Sequence, residues 1–177
     1  YKFDFPLREL ENFSWNKFDN FLLKHNIFFF YTTHSENIPS NLPPDYKRIK
    51  YICHDHHPFF DINMFMLEAD LLVNDYSCTS TDFAILNKPQ IFFMPDYDRF
   101  KLENGFIEDY RIILPGSEIN TFDEFNCTIN ECLNDSVNYL KKYQQQTELF
   151  LDHYYDLSNG DSCKLFTEFI YKTISKY

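Results

Sequence analysis

Four short, mainly apolar runs separated by stretches of helical spacing constrain this chain more than any other feature. Ile27 to Tyr31, Ile49 to Cys53, Leu71 to Val73 and Ile91 to Met94 are each of strand length and too short for a helix. Runs of this kind mark strands buried on both faces. Ahead of the first run, Trp15, Phe18, Phe21, Leu22 and Leu23 recur at helical spacing. Asp61, read as a helix N-cap with Pro58 before it, opens a second helical stretch containing Ile62, Phe65, Met66 and Ala69, and a third, from about Thr79 to Leu86, leads to the fourth run, with Pro89 marking the boundary. Alternation of strand and helix predicts βαβ units and an α/β fold, a parallel sheet with helices on both faces.

From Phe122 onward the pattern changes to helices near Asp123 to Leu133, Ser136 to Tyr155 and Ser162 to Ser175, the last two separated by Asn159 and Gly160. These are expected to cover the sheet or to reach toward a partner domain. At 177 residues, with 20% aromatic content, the chain has the material for one domain (1–177) with a sizeable core. It begins at Tyr1 without a signal pattern, as a piece of a longer protein would. The net charge of −11 repels a nucleic-acid backbone, and no basic patch offsets it: Lys47, Arg48 and Lys50 are the densest cationic group. No apolar stretch approaches the roughly 20 residues that span a bilayer. The five cysteines, Cys53, Cys78, Cys127, Cys132 and Cys163, are odd in number and lack paired metal spacing, which predicts reduced thiols.

The chain has only three glycines and contains neither a dinucleotide fingerprint nor a P-loop. A phosphate would have to be held another way. The segment Asp70 to Asp82, DLLVNDYSCTSTD, sets a strand, a hydroxyl-crowded turn and a helix start in succession. Free N–H groups at a helix start, with hydroxyls from Ser77, Thr79, Ser80 and Thr81, suit an anion. Plain capping is the alternative, since Thr79 with Asp82 also fits a capping box.

Extended to DLLVNDYSCTSTDFAILNKPQIFF, this segment resembles the CDP-glycerol glycerophosphotransferases, the teichoic-acid polymerase and primase family. Asp70, Asp75, Tyr76, Ser77, Asp82, Ala84, Lys88 and Pro89 fall on its pattern, and Asp61, Ile62 and Asn63 resemble the opening of the preceding family helix. Asp96, the Gly105–Phe106 pair and Pro115–Gly116 keep the family order, so the resemblance covers most of Ile27 to Phe125. It implies a Rossmann-like, donor-nucleotide-binding C-terminal domain of a GT-B architecture, with the N-terminal half of the enzyme absent. The family's Asp-Tyr-Ser-Ser turn approaches the donor diphosphate, a role that carries onto Asp75, Ser77, Cys78 and Thr79. Cys78 departs from the pattern in replacing a serine, as does Thr32, where many relatives have a basic residue.

His34, in FFFYTTHSEN, follows a strand, at the edge of an α/β sheet where ligands bind. A lone histidine after a strand is commonly a loop residue, but this one is similar in position to an active-site histidine of the family. The cluster Cys53, His54, Asp55, His56 and His57 invites a metal reading; consecutive extended residues point to alternate faces, so a surface loop is expected instead, with no metal and no cofactor. The resemblance implies transfer of polyol phosphate from a CDP-polyol donor to a polyol-phosphate or glycan acceptor in teichoic-acid or capsular polymer synthesis. Such an enzyme is expected in the cytoplasm, peripheral at the inner face of the cell membrane. A glycosyltransferase using another nucleotide sugar, a catalytically silent binding domain and a metal module on the His54 cluster are the competing readings.

Overall fold

The computed structural model describes residues 6–33, 46–52, 61–103, 105, 110–155 and 160–175. Along them run α1 (Trp15–Lys24), β1 (Phe29–Thr32), β2 (Ile49–Ile52), α2 (Ile62–Glu68), β3 (Leu72–Asn74), α3 (Thr79–Ala84), β4 (Gln90–Phe92), α4 (Tyr97–Glu103), β5 (Ser117–Glu118), α5 (Phe122–Asn134), α6 (Ser136–Lys142), α7 (Gln144–Tyr154) and α8 (Ser162–Ile174). Every strand pairing is parallel: β1 with β2, β3 with β4, and β4 with β5. The strands form two ladders, β1–β2 and β3–β4–β5. Both ladders wall one core, in which Phe29, Tyr31, Ile49, Val73 and Ile91 meet Phe18 and Leu22 of α1 and Phe125 and Ile129 of α5.

The run around β4 shows why the sheet needs helices on both sides. Ile91, Phe92, Phe93 and Met94 are all buried, and successive residues of a strand point to opposite faces. Ile91 and Phe93 accordingly join the core under α1, α5 and α6, while Phe92 and Met94 join a second core with Ala84 of α3, Tyr97 of α4 and Phe150 of α7. This is the α/β fold expected from the alternation of strand and helix.

Local chemistry sets the ends of the elements. Asp61 caps α2 by accepting the Asn63 N–H at 2.9 Å, as the sequence predicts. Lys88 donates to the Leu67 and Ala69 carbonyls, both at 2.7 Å, placing a cation on the exposed C-terminal carbonyls of the same helix. Thr121 and Glu124 close a capping box at α5. Gly116 lets β5 start against β4: a Cβ there would lie 2.0 Å from the Gln90 carbonyl oxygen. Beside it the buried Tyr139 hydroxyl donates to Gln90 O at 2.6 Å and accepts the Ser117 N–H at 2.9 Å, so a side chain from α6 bridges the two strands where their ladder begins.

Several expectations change. The single helix predicted over Ser136 to Tyr155 is two, interrupted at Tyr143 (φ −107°, ψ 11°). The helix α4 and the two-residue β5 were not anticipated. Helices α5 to α7 cover the sheet, but α8 is exposed along its whole length, with Phe166 and Phe169 63% and 65% exposed. No helix among the described residues is long and apolar enough to cross a membrane.

Candidate functional site

Parallel strands deliver their following loops to one edge of a sheet, which is where open α/β sheets hold ligands. After β3 comes Asp75 to Cys78, and after β4 comes Phe93 to Asp96; the ladder between them runs as far as the Phe93 N–H bonded to Asn74 O at 2.9 Å. Beyond that point the two segments are tied by side chains.

The turn itself is ordered by its own polar groups. The Asp75 carboxylate accepts the Ser77 N–H at 2.9 Å, and the Asn74 side-chain amide donates to Ser77 O at 2.9 Å. The Ser77 and Thr79 hydroxyls lie 3.0 Å apart. Cys78 occupies the cap position before α3 without a side-chain capping bond, and its thiol is exposed.

Two of the four candidate hydroxyls are committed elsewhere. Ser80 is fully buried; its hydroxyl donates to Gln90 Oε1 at 2.8 Å, while Gln90 Nε2 donates to Ser80 O at 3.2 Å. Burial of both partners requires such mutual satisfaction, and the pair fastens α3 to β4. The Thr81 hydroxyl donates to Cys78 O at 2.6 Å. The alternative capping box also fails to form, because Thr79 lies within α3 and Asp82 accepts the Tyr155 hydroxyl at 2.9 Å. Ser77 and Thr79 remain as hydroxyls of the turn toward solvent.

Around Tyr76 of the turn lies a cluster of which the sequence pattern marked Tyr76 and Asp96 alone. The Tyr76 hydroxyl donates to Asp96 Oδ1 at 2.6 Å, and Arg99 Nη2 donates to Oδ2 at 2.5 Å. The Tyr76 ring stacks on Phe100, centroids 4.4 Å apart. Arg111 grips Glu118 through Nε and Nη2 at 3.0 and 2.6 Å and lies 4.0 Å over the Tyr97 ring. A cleft of about 340 Å³ opens among Asp96, Tyr97, Asp98, Arg99, Arg111 and Glu9. No arginine occurs within Asp70 to Asp82, and only the fold brings Arg99 toward the turn through Asp96.

The two aspartates are driven in opposite directions. Asp75 is exposed by surface area, but the mass of protein around the turn still penalises its charge. This desolvation raises its pKa, against the lowering effect of the Ser77 N–H, and the nearby Asp96 charge raises it further. At Asp96 desolvation also opposes ionisation, but the hydrogen bonds from Tyr76 and Arg99 and the Arg99 charge outweigh it and hold the pKa below the usual carboxylate range. Burial and the bond to Asp96 push the Tyr76 hydroxyl up.

His34 and the Cys53 to His57 cluster lie outside the described residues. Among the described residues no group of three His, Cys, Asp or Glu is placed to hold a metal. Cys78, Cys127, Cys132 and Cys163 are free thiols, and burial pushes that of Cys132 up to about 12.

A two-faced parallel sheet with a polar turn at its carboxyl edge defines a Rossmann-like α/β domain of the GT-B kind. The solved structure of the wall teichoic acid polymerase TagF, in a variant soaked with CDPG, has this fold at TM-score 0.60 and 22% identity, covering 89% of this chain and 38% of that one. Over residues 7–172 the chain belongs to the CDP-glycerol:poly(glycerophosphate) glycerophosphotransferase family. It is 32% identical over 171 residues to the teichoic acid poly(glycerol phosphate) polymerase of Bacillus spizizenii, covering 95% of this chain and 39% of the relative. It is also 32% identical over 122 residues to that organism's teichoic acid poly(ribitol-phosphate) polymerase, covering 68% and 18%. The chain thus spans about two fifths or less of the length of these relatives.

Proposed function

We propose that this chain is the donor-binding C-terminal domain of a CDP-polyol-dependent transferase in teichoic-acid or capsular polymer synthesis, acting at the inner face of the cell membrane. The observation that carries this reading is the Asp75–Thr79 turn at the carboxyl edge of the sheet, in a chain belonging to the glycerophosphotransferase family. The TagF variant soaked with CDPG supports a CDP-glycerol-type donor. Similarity to both a glycerol-phosphate and a ribitol-phosphate polymerase leaves the polyol open.

In this mechanism an acceptor hydroxyl attacks the β-phosphorus of the CDP-polyol, CMP leaves, and a phosphodiester forms. The protein must deprotonate the hydroxyl and stabilise the charge on the phosphates. Ser77 and Thr79 supply hydroxyl donors to the diphosphate, with Asp75 ordering their backbone and Cys78 contributing a poorer donor than the serine it replaces. His34 acts as the general base or as a phosphate contact. The second wall of the cleft comes from a preceding domain of the longer protein, and the exposed apolar side chains of α8 are the surface offered to it. The chain alone therefore transfers nothing.

Acceptor-dependent CMP release from CDP-glycerol by the longer protein is the test. Replacing His34 by Ala is expected to lower kcat by about 10²-fold or more, the usual contribution of a positioned acid or base. Activity surviving within about three-fold removes His34 from the mechanism. No turnover of any CDP-polyol, with CDP still bound, favours the silent binding domain, to which the Cys78 and Thr32 departures point.

A further inference from the structure

We infer that Tyr76 and Asp96 are positioning residues that hold the Ser77 turn in its phosphate-facing geometry; the inference rests on the reading of that turn proposed above. Past the Phe93 N–H to Asn74 O bond, the chain leaving β3 turns into α3 and the chain leaving β4 turns into α4. Beyond the local hydrogen bonds of Asn74 and Asp75, residues 75–79 are held by two longer-range side-chain anchors. Downstream, the buried Ser80–Gln90 pair pins the first turn of α3 to β4. Upstream, the Tyr76 hydroxyl is held by Asp96 at 2.6 Å.

The upstream anchor is braced on every side. Both Asp96 oxygens are engaged, Oδ1 by Tyr76 and Oδ2 by Arg99, so the carboxylate cannot rotate away without breaking a charge-assisted bond. Phe100, whose N–H bonds Asp96 O at 2.8 Å, stacks on the Tyr76 ring with the planes 19° apart. Tyr97 sits tilted beside the same ring, centroids 6.2 Å apart. One helical turn, Asp96 to Phe100, thus clamps the residue directly before Ser77. Tyr76 adjoins Ser77 along the backbone, so the effect of the latch on a ligand is exerted through the turn.

The test is a double-mutant cycle with CDP and cytidine titrated calorimetrically into the wild-type chain, Tyr76→Phe, Ser77→Ala and the double variant. Phe keeps the stack on Phe100 and removes only the hydroxyl, so the melting temperature is expected to move by no more than a few degrees. Only part of the free energy of the lost hydrogen bond to a charged group is felt by the ligand, so CDP affinity is expected about five- to ten-fold weaker in Tyr76→Phe, with cytidine unchanged. Because the latch acts on the turn that carries both Ser77 and Thr79, the loss in the double variant is expected to be clearly smaller than the product of the two single losses. Amide exchange at Ser77 to Ser80 is expected to quicken in Tyr76→Phe. Losses that multiply in the double variant, or wild-type CDP affinity in Tyr76→Phe beside a weakened Ser77→Ala, overturn the latch and leave the phosphate reading standing. Wild-type CDP affinity in Ser77→Ala overturns both.

Discussion

Replacing Tyr139 by Phe is a near-isosteric change that removes one oxygen from the junction of β4 and β5. The ring is 1% exposed, so Phe fills the same space and leaves almost no cavity. What changes is the pairing of two backbone groups, Gln90 O and Ser117 N–H, which the hydroxyl bridges at 2.6 and 2.9 Å. Each buried group left without a partner costs roughly 1–3 kcal/mol, so a loss of about 2–4 kcal/mol follows once some relaxation is allowed. In a domain of this size that lowers Tm by roughly 5–15 °C, and it shifts the urea midpoint at an unchanged slope. Tyr143→Phe is the control: its ring packs on the same core, and its loss is expected within about 0.5 kcal/mol. Equal losses in the two variants, or a loss below about 0.5 kcal/mol in Tyr139→Phe, refute the bridging role.

Gly116→Ala forces a Cβ to within 2.0 Å of the Gln90 carbonyl oxygen, a backbone atom that cannot yield cheaply. It is expected to cost about 3 kcal/mol or more in urea unfolding, or to prevent recovery of folded protein. The two aspartates should show opposite pH behaviour in Tm. The raised Asp75 pKa contributes stability that is present below the unfolded carboxylate value and lost as pH rises through the folded one, so Asp75→Asn is expected to match or exceed wild type at pH 7. The lowered Asp96 pKa contributes stability present above the unfolded value and lost as pH falls through the folded one, so Asp96→Asn is expected to be destabilised at pH 7 and to converge on wild type in acid. Same-signed effects at pH 7 would contradict the assignment.

The sheet was legible because its strands appear as short apolar runs, but only β4, in the run Ile91 to Met94, is buried on both faces; β1 alternates, with Phe30 46% exposed. The Asp61 cap was legible because capping is a local contact between near neighbours. Helix α4 escaped notice because DYDRFKLEN is mostly polar, and of its helical residues only Tyr97 is buried. The strand β5 escaped because two residues carry no periodicity; it exists through the close approach at Gly116 and the Tyr139 bridge, made from 49 residues away in sequence from Gln90. The break at Tyr143 lacks the glycine or proline that announces one. At the candidate site, Ser77 and Thr79 were singled out by the hydroxyl-rich helix start and Asp75 and Cys78 by the family pattern, whereas the commitment of Ser80 to Gln90 and the convergence of Tyr76, Asp96 and Arg99 depend on tertiary contacts.

The central claim is that this domain holds a donor nucleotide by its phosphates at the Ser77 turn. A CDP-type ligand is anionic and the chain carries −11 overall, so local donors must overcome a long-range repulsion. Calorimetric titration of CDP and of cytidine into the wild type and Ser77→Ala tests this most directly. Hydrogen bonds to charged groups contribute about 1.5–3 kcal/mol, and about 1.4 kcal/mol is one decade in affinity, so Ser77→Ala is expected to bind CDP roughly ten-fold more weakly. Cytidine, which has no phosphate, is expected to bind both proteins alike. Equal losses for the two ligands, or no loss for either, would contradict the claim and return the turn to a structural role at the start of α3.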